Sequence, residues 1–164
     1  MSDLGSQSPY PAQQPAEQEW GSQPPAHTGK GSGPRAGFGS RLGAYIIDIL
    51  ILMIPTIIVF VATDQAVANI VSTLLGIVYF TAFEGSATGQ TLGKRALGIR
   101  VIDFRAGGRL GYGRALVRYI ARIVSSIPLF LGYFWMLWDK ENQTWHDKIA
   151  NSVVVPVDAY PVQP

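Results

Sequence analysis

Residues 42–63 read LGAYIIDILILMIPTIIVFVAT and residues 66–83 read AVANIVSTLLGIVYFTAF, with only Asp64 and Gln65 between them. The first block carries one charge, Asp48, and the second carries none. The first block's 22 residues, at the α-helical rise, extend about 33 Å, enough to cross a hydrocarbon core about 30 Å thick. A buried helix of a water-soluble domain is rarely apolar on every face. The two blocks therefore predict two membrane-spanning helices, and the short link predicts a tight antiparallel hairpin. Pro55 predicts a kink in the first helix. Ala68, Ser72 and Gly76 recur every four residues in the second, a pattern that permits close helix contact in lipid.

On the N-terminal side, residues 1–37 are rich in Pro, Gln, Gly and Ser. So little apolar surface cannot offset the entropy of ordering a chain, and the stretch predicts a disordered tail. It lacks a charged region followed by an apolar stretch, so no cleaved signal peptide is expected, and the first apolar block serves as an uncleaved anchor. Lys30, Arg35 and Arg41 precede that block. Basic residues collect on the cytoplasmic flanks of membrane helices, which places the N-terminus in the cytoplasm.

On the C-terminal side, residues 84–114 contain Lys94, Arg95, Arg100, Arg105, Arg109 and Arg114 against Glu84 and Asp103. The same rule returns this loop to the cytoplasm, as a two-helix hairpin requires. Its cations suit anionic lipid headgroups. Within it, Gly98–Asp103 predicts a strand, Ala106–Gly108 a turn and Arg109–Tyr112 a weak return strand. Arg114, Arg118 and Arg122 then form a basic stripe along an otherwise apolar helix, an amphipathic pattern suited to the membrane surface. The following PLFLGYFWMLW (128–138) is too short to cross alone. Either 114–138 crosses once, with Arg118 and Arg122 snorkelling, or its second half dips in and returns. A β-like run at Ser152–Val157 suits pairing with Gly98–Asp103, which requires the return. The residues from Asp139 onward, two Lys against four acids, would suit the outside instead.

The 164 residues suffice for one small domain, with 48% hydrophobic residues and a formal net charge of +2. That mild basic excess is explained by membrane flanks and does not call for nucleic acid. With no Cys and only His27 and His146, disulfides, thiolate catalysis and Cys- or His-rich metal sites are excluded. The run Gly89-Gln-Thr-Leu-Gly93-Lys94 is one residue too short for a phosphate loop and places Arg95 where Ser or Thr is needed. With no Ser/His/Asp set and no convincing carboxylate pair, neither an enzyme nor a cofactor is expected.

The charges in or near the apolar blocks are the functional candidates. Asp48 lies about 9 Å into the first helix by its rise and needs a partner, a proton or a polar cavity. Arg41 shares its face but sits about 10.5 Å away along the axis. A direct bridge within one helix needs a spacing of three or four, so Arg118 or Arg122 is the expected partner. A structural ion pair and a proton or substrate role are both compatible with it. Glu84 reads as an interfacial flank.

Several stretches, in order, resemble the RDD family of membrane proteins: Arg41-Leu-Gly-Ala-Tyr-Ile-Ile-Asp48, then Gly89-Gln-Thr-Leu-Gly93-Lys94-Arg95-Ala-Leu-Gly98-Ile-Arg100-Val, then Gly107-Gly108 with Arg118, and finally Trp145-His146-Asp147-Lys148-Ile-Ala-Asn-Ser-Val-Val-Val. The resemblance covers residues 38–157. It carries the family's namesake Arg and two Asp over to Arg41, Asp48 and Asp147, with Asp139 a second acid nearby. Asn151-Ser152 departs from the family's common Gly-Thr. The proline-rich tail looks like that of the actinobacterial proline-rich antigen type. The resemblance implies a poorly defined activity, with transport or ion/proton exchange suggested for some members, and gives no substrate.

The expectation is an all-α integral membrane protein of the inner membrane: a transmembrane helical hairpin (42–63, 66–83), a third amphipathic and apolar helical segment (114–138), a small cytoplasmic β element, a disordered tail over 1–37 and a short C-terminal tail over 158–164. Two functions are compatible. One is ion or proton exchange through Asp48 with Arg partners, which so few spans support only as a homo-oligomer or with a membrane partner. The other is a non-transporting scaffold or accessory subunit whose Arg and Asp residues are structural.

Overall fold

The computed structural model describes residues 33–128 and 131–161. Most of the expected tail, residues 1–32, lies outside the described residues, as do Leu129, Phe130 and residues 162–164. Helix α1 (Phe38–Ala62) runs unbroken through Pro55, and α2 (Gln65–Gly85) follows directly. Asp64 caps α2 by accepting from the backbone N–H groups of Ala66 and Val67, which satisfies donors that the helix start leaves free. Both helices are long and apolar enough to cross a membrane by length and composition.

The chain then builds a small polar-sided unit at the open end of this hairpin. A short helix α3 (Leu92–Ala96) precedes strand β1 (Ile99–Asp103). Helix α4 (Tyr112–Ser126), the one-turn α5 (Leu131–Phe134) with its 3₁₀ continuation Trp135–Leu137, the short α6 (Trp145–Ile149) and strand β2 (Ser152–Pro156) complete it. β1 and β2 pair antiparallel, from Ile99 opposite Pro156 to Asp103 opposite Ser152. The predicted strand pairing is thus present. Arg109–Tyr112 forms no strand, because β2 occupies one edge of β1 and the Gly89 carbonyl accepts from Val101 N at 2.8 Å on the other. Gly89 has φ +63°, and a Cβ there would lie 2.2 Å from the Val101 carbonyl oxygen, so only glycine fits this approach.

Residues just before α1 already belong to the folded unit. Ala36 N donates to Val154 O at 3.0 Å, and Ala36 packs with Ala44, Ile99, Val101, Leu110, Ala115 and Val154 in one apolar core. Ile102, Val153, Val155 and Tyr160 form a second core on the other face of the two strands.

Helix α4 is amphipathic in the inverted sense. Arg118 and Arg122 are buried, whereas Leu116, Val117, Ile120, Ile123, Val124 and Ile127 are exposed. Its basic stripe faces the protein rather than water or headgroups, which corrects the surface-helix and snorkelling expectations. The exposed apolar face matches that of α1 (Ile46, Leu50, Ile54, Ile58) and α2 (Ile70, Leu74, Val78). The small-residue stripe of α2 is a packing face: Ala68 is buried, and Gly76 lies under the Tyr119 hydroxyl of α4. The pairing of β1 and β2 is the one that the return of 114–138 requires. The 113° angle between α4 and Leu131–Leu137 fits the alternative in which the segment turns back.

This pairing fixes a relation between sites that labelling can read. In this Cys-free chain, Gly108→Cys and Asp158→Cys are expected to react with a membrane-impermeant thiol reagent from one face, and Gln65→Cys from the opposite face. Labelling of positions 108 and 158 from opposite faces would contradict the strand pairing.

Candidate functional site

Where α2 ends, its carboxylate Glu84 is completely buried. A buried charge is tolerated only with partners. Lys94 Nζ on α3 reaches Glu84 Oε1 at 2.7 Å, Arg122 Nη2 on α4 reaches the same oxygen at 2.9 Å, and Arg118 Nη1 reaches Oε2 at 2.6 Å. Arg118 and Arg122 stand four apart on α4 and so share a face. The expectation of Glu84 as an interfacial flank is therefore corrected, since three cations converge on it.

Arg118 also turns to the second buried carboxylate. Its Nε and Nη2 donate to Asp147 Oδ1 at 2.9 and 2.6 Å. Asp147 is held by a capping box at the start of α6: Thr144 Oγ1 accepts from Asp147 N, and Asp147 Oδ2 accepts from Thr144 N. The same Oδ2 takes Arg41 Nη1 of α1 at 2.6 Å. Asp139, the other acidic candidate, instead bonds Lys148 and the backbone N–H groups of Glu141 and Gln143. A continuous chain of ion pairs thus runs Arg41–Asp147–Arg118–Glu84 and branches to Lys94 and Arg122. It ties α1, α2, α3, α4 and α6 together.

Asp48 is fully buried but meets no cation among the described residues, contrary to the expected Arg118 or Arg122 pairing. Its Oδ1 accepts from Tyr79 OH at 2.8 Å and Gly93 N at 2.8 Å, and its Oδ2 from Thr91 Oγ1 at 2.6 Å. Both hydroxyls accept backbone N–H groups in turn, Tyr79 from Leu92 and Thr91 from Lys94, which directs their protons at Asp48. The carboxylate is thus an acceptor for the start of α3. Gly93 is required for the approach: a Cβ there would lie 2.1 Å from the Ala44 carbonyl oxygen. Arg118 and Arg122 were drawn away because Glu84 and Asp147 lie on their side of α4.

The structure therefore brings Arg41, Asp147, Arg118, Arg122 and Glu84 into one network and sets Asp48 beside it, bonded to Gly93, the chain neighbour of Lys94. Sequence reasoning missed Lys94, Tyr79, Thr91 and Gly93 as participants. The signal for three of them lay in the Gly89–Lys94 run, whose small and hydroxyl residues need a reason once nucleotide binding is rejected. Of the remaining loop cations, Arg100 donates to the Tyr160 and Ala87 carbonyls, Arg109 to the Gly85 carbonyl and Arg114 to Asp103, while Arg95 and Arg105 are exposed. No group of three His, Cys, Asp or Glu suited to a metal ion occurs among the described residues.

Removing one partner from a buried ion pair typically costs about 3–5 kcal/mol, because it leaves an uncompensated charge. Arg118→Met is expected to lose about that much in a denaturation series in non-ionic detergent. Arg95→Met, at an exposed position, should change stability by less than about 0.5 kcal/mol. Equal effects would mean that the network carries no stability.

Acid should weaken the unit in two steps. Burial pushes the His146 imidazole well below its usual range. For Asp147, burial alone would push the carboxyl up, but the Arg118 and Arg41 guanidiniums outweigh it and hold it well below the usual range. Both groups bind protons more readily once unfolded, so stability falls as pH falls. The loss is expected to begin below about pH 6.5 through His146 and to deepen below about pH 4 through Asp147. His146→Gln should flatten the first limb of a melting-temperature profile and leave the second. A melting temperature that rises from pH 7 to pH 5 would contradict this assignment.

The sequence is similar to several known proteins. The proline-rich antigen homolog of Mycobacterium tuberculosis is 32% identical over 81 residues, covering 49% of this chain and 34% of that protein. The proline-rich antigen of Mycobacterium leprae is 32% identical over 81 residues, covering 49% and 32%. The match thus spans about a third of the length of these mycobacterial relatives. The Bacillus subtilis protein YxaI is 29% identical over 147 residues, covering 73% of this chain and 96% of its own. No solved structure matches. The RDD family pattern matches residues 35–151, which run from the segment before α1 to the end of α6 and include every member of the ion-pair network. The chain belongs to the RDD family.

Proposed function

We propose that this RDD domain is a non-transporting membrane module, a scaffold or accessory subunit of the inner membrane with its N-terminus in the cytoplasm. In this reading the Arg and Asp residues hold its shape. The observation that carries it is the saturation of the buried carboxylates. Glu84 is engaged by three cations, Asp147 by two, and Asp48 by three fixed donors. A site that exchanges cations or protons needs a carboxylate with an open face, and a surrounding excess of Arg and Lys repels a cation. The apolar outer faces of α1, α2 and α4 suit lipid or the helices of a membrane partner, including a second copy. Arg95 and Arg105 remain exposed for anionic headgroups.

A second reading rests on Asp48 alone. It is a buried carboxylate in an apolar helix without a cationic partner among the described residues, and such groups are functional candidates by default. Flux separates the two readings. The full chain reconstituted in proteoliposomes is expected to carry no proton or alkali-cation flux above protein-free vesicles, as read by an internal pH dye under an imposed ion gradient. Asp48→Ala should lower melting temperature and abundance, because it strands three buried donors, each worth about 1–3 kcal/mol. A flux that Asp48→Asn abolishes while abundance is kept would overturn the scaffold reading.

A further inference from the structure

A cavity of about 340 Å³ opens beside the ion-pair network. Arg41, Lys94, Arg118 and Arg122 line one side, and Phe38, Leu42, Tyr45, Tyr133, Phe134 and Met136 line the other. One feature of the network is unexplained by stability alone, its charge: the buried Lys94, Arg118 and Arg122 and the half-buried Arg41 face two carboxylates, and a positive excess remains even when Asp48 is counted. Arg122, 7% exposed, gives Nη2 to Glu84 and lies over the Phe80 ring at 4.6 Å, and it also lines the cavity. Buried cations in excess of their carboxylates are expensive.

We propose that this cavity binds the anionic head and proximal acyl chain of an acidic membrane lipid. A phosphate or carboxylate oxygen supplies the negative charge that the cluster lacks, and guanidinium groups suit such oxygens geometrically. The opposite wall is apolar and aromatic, which water-soluble anions do not use. Its members Leu42, Tyr45 and Phe134 are also exposed on the outer surface (44%, 39% and 41%), so an acyl chain leaving the cavity continues along the lipid-facing side of α1. The volume lies at the small end for ligand cavities and suits a headgroup with part of one chain rather than a whole lipid. This site differs from the exposed loop cations Arg95 and Arg105, and it stands whether or not the protein transports anything.

The test uses the full chain, delipidated in a neutral non-ionic detergent. The probes are phosphatidylglycerol, phosphatidylcholine of the same acyl chains, and water-soluble glycerol phosphate, read by shift in melting temperature and by retention in native mass spectrometry. Phosphatidylglycerol is expected to raise the melting temperature and remain bound, whereas the other two have at least tenfold weaker effects. Arg122→Gln should weaken phosphatidylglycerol at least tenfold, since Glu84 keeps Lys94 and Arg118 and the fold persists. Leu42→Ala, at a partly exposed wall position, should weaken phosphatidylglycerol without changing the response to glycerol phosphate, and it decides the matter if Arg122→Gln fails to fold. Equal shifts from phosphatidylglycerol and phosphatidylcholine would overturn the proposal. So would phosphatidylglycerol binding that survives Leu42→Ala, and so would glycerol phosphate binding as tightly as the lipid.

Discussion

The grip of two Arg118 nitrogens on one oxygen of Asp147, with its third nitrogen on Glu84, is the interaction on which the rest of this structure depends. In water, a helix such as α4 would be held by burying its apolar face. Here that face points outward, and in lipid it would gain nothing by turning inward, because acyl chains are as apolar as leucine. What holds α4 against α2 and α6 is polar: a guanidinium that would be costly to leave in hydrocarbon and two carboxylates that would be costly to leave anywhere. The attachment is also specific in direction. Arg118 can satisfy both acids only if the end of α2 and the start of α6 meet the same face of α4, which in turn brings β2 alongside β1.

Much of the architecture was legible because it follows from local pattern. The two apolar blocks and their short link define the hairpin, and the β-branched run at Ser152–Val157 found the strand it was matched to. The inverted α4 was not legible, because a basic stripe on an apolar helix reads the same whether it faces headgroups or buried acids. Periodicity gives the face and not what lies against it. Deciding between them required knowing that Glu84, Asp147 and Arg41 converge, and Arg118's partners stand 34 and 29 residues away in the chain.

The site shows the same division. Arg41, Asp48 and Asp147 were singled out, yet the trio does not form one cluster, since Asp48 serves Thr91, Tyr79 and Gly93 instead. Its seven-residue offset from Arg41 is too long for a bridge within the helix. A buried carboxylate need not meet a cation. Three well-aimed neutral donors suffice, two from the start of α3 (Thr91 and Gly93) and one from Tyr79 on α2. Glu84 was underrated for the opposite reason. A charge at the end of an apolar helix ordinarily rests in the interface, and nothing local to residue 84 reveals that Lys94, Arg118 and Arg122 will close over it.

Charge balance separates the two parts of the network. Around Asp147 two cations, Arg41 and Arg118, face one carboxylate, and the capping box occupies a further lone pair. Around Glu84 three cations share one carboxylate, so the surplus is greatest on the Lys94 and Arg122 side, and the cavity runs along all four cations. A buried region with surplus positive charge is least stable when alone and gains most from an anion, because binding only to the folded state adds directly to folding stability. The same surplus works against a cation entering from either side. In the proposed reading two properties that could have been independent go together: the features that make the Glu84 end a poor path for cations make it a receptive surface for acidic lipid. A membrane module built this way would be held together by its own residues at the Asp147 end and completed by the bilayer at the other.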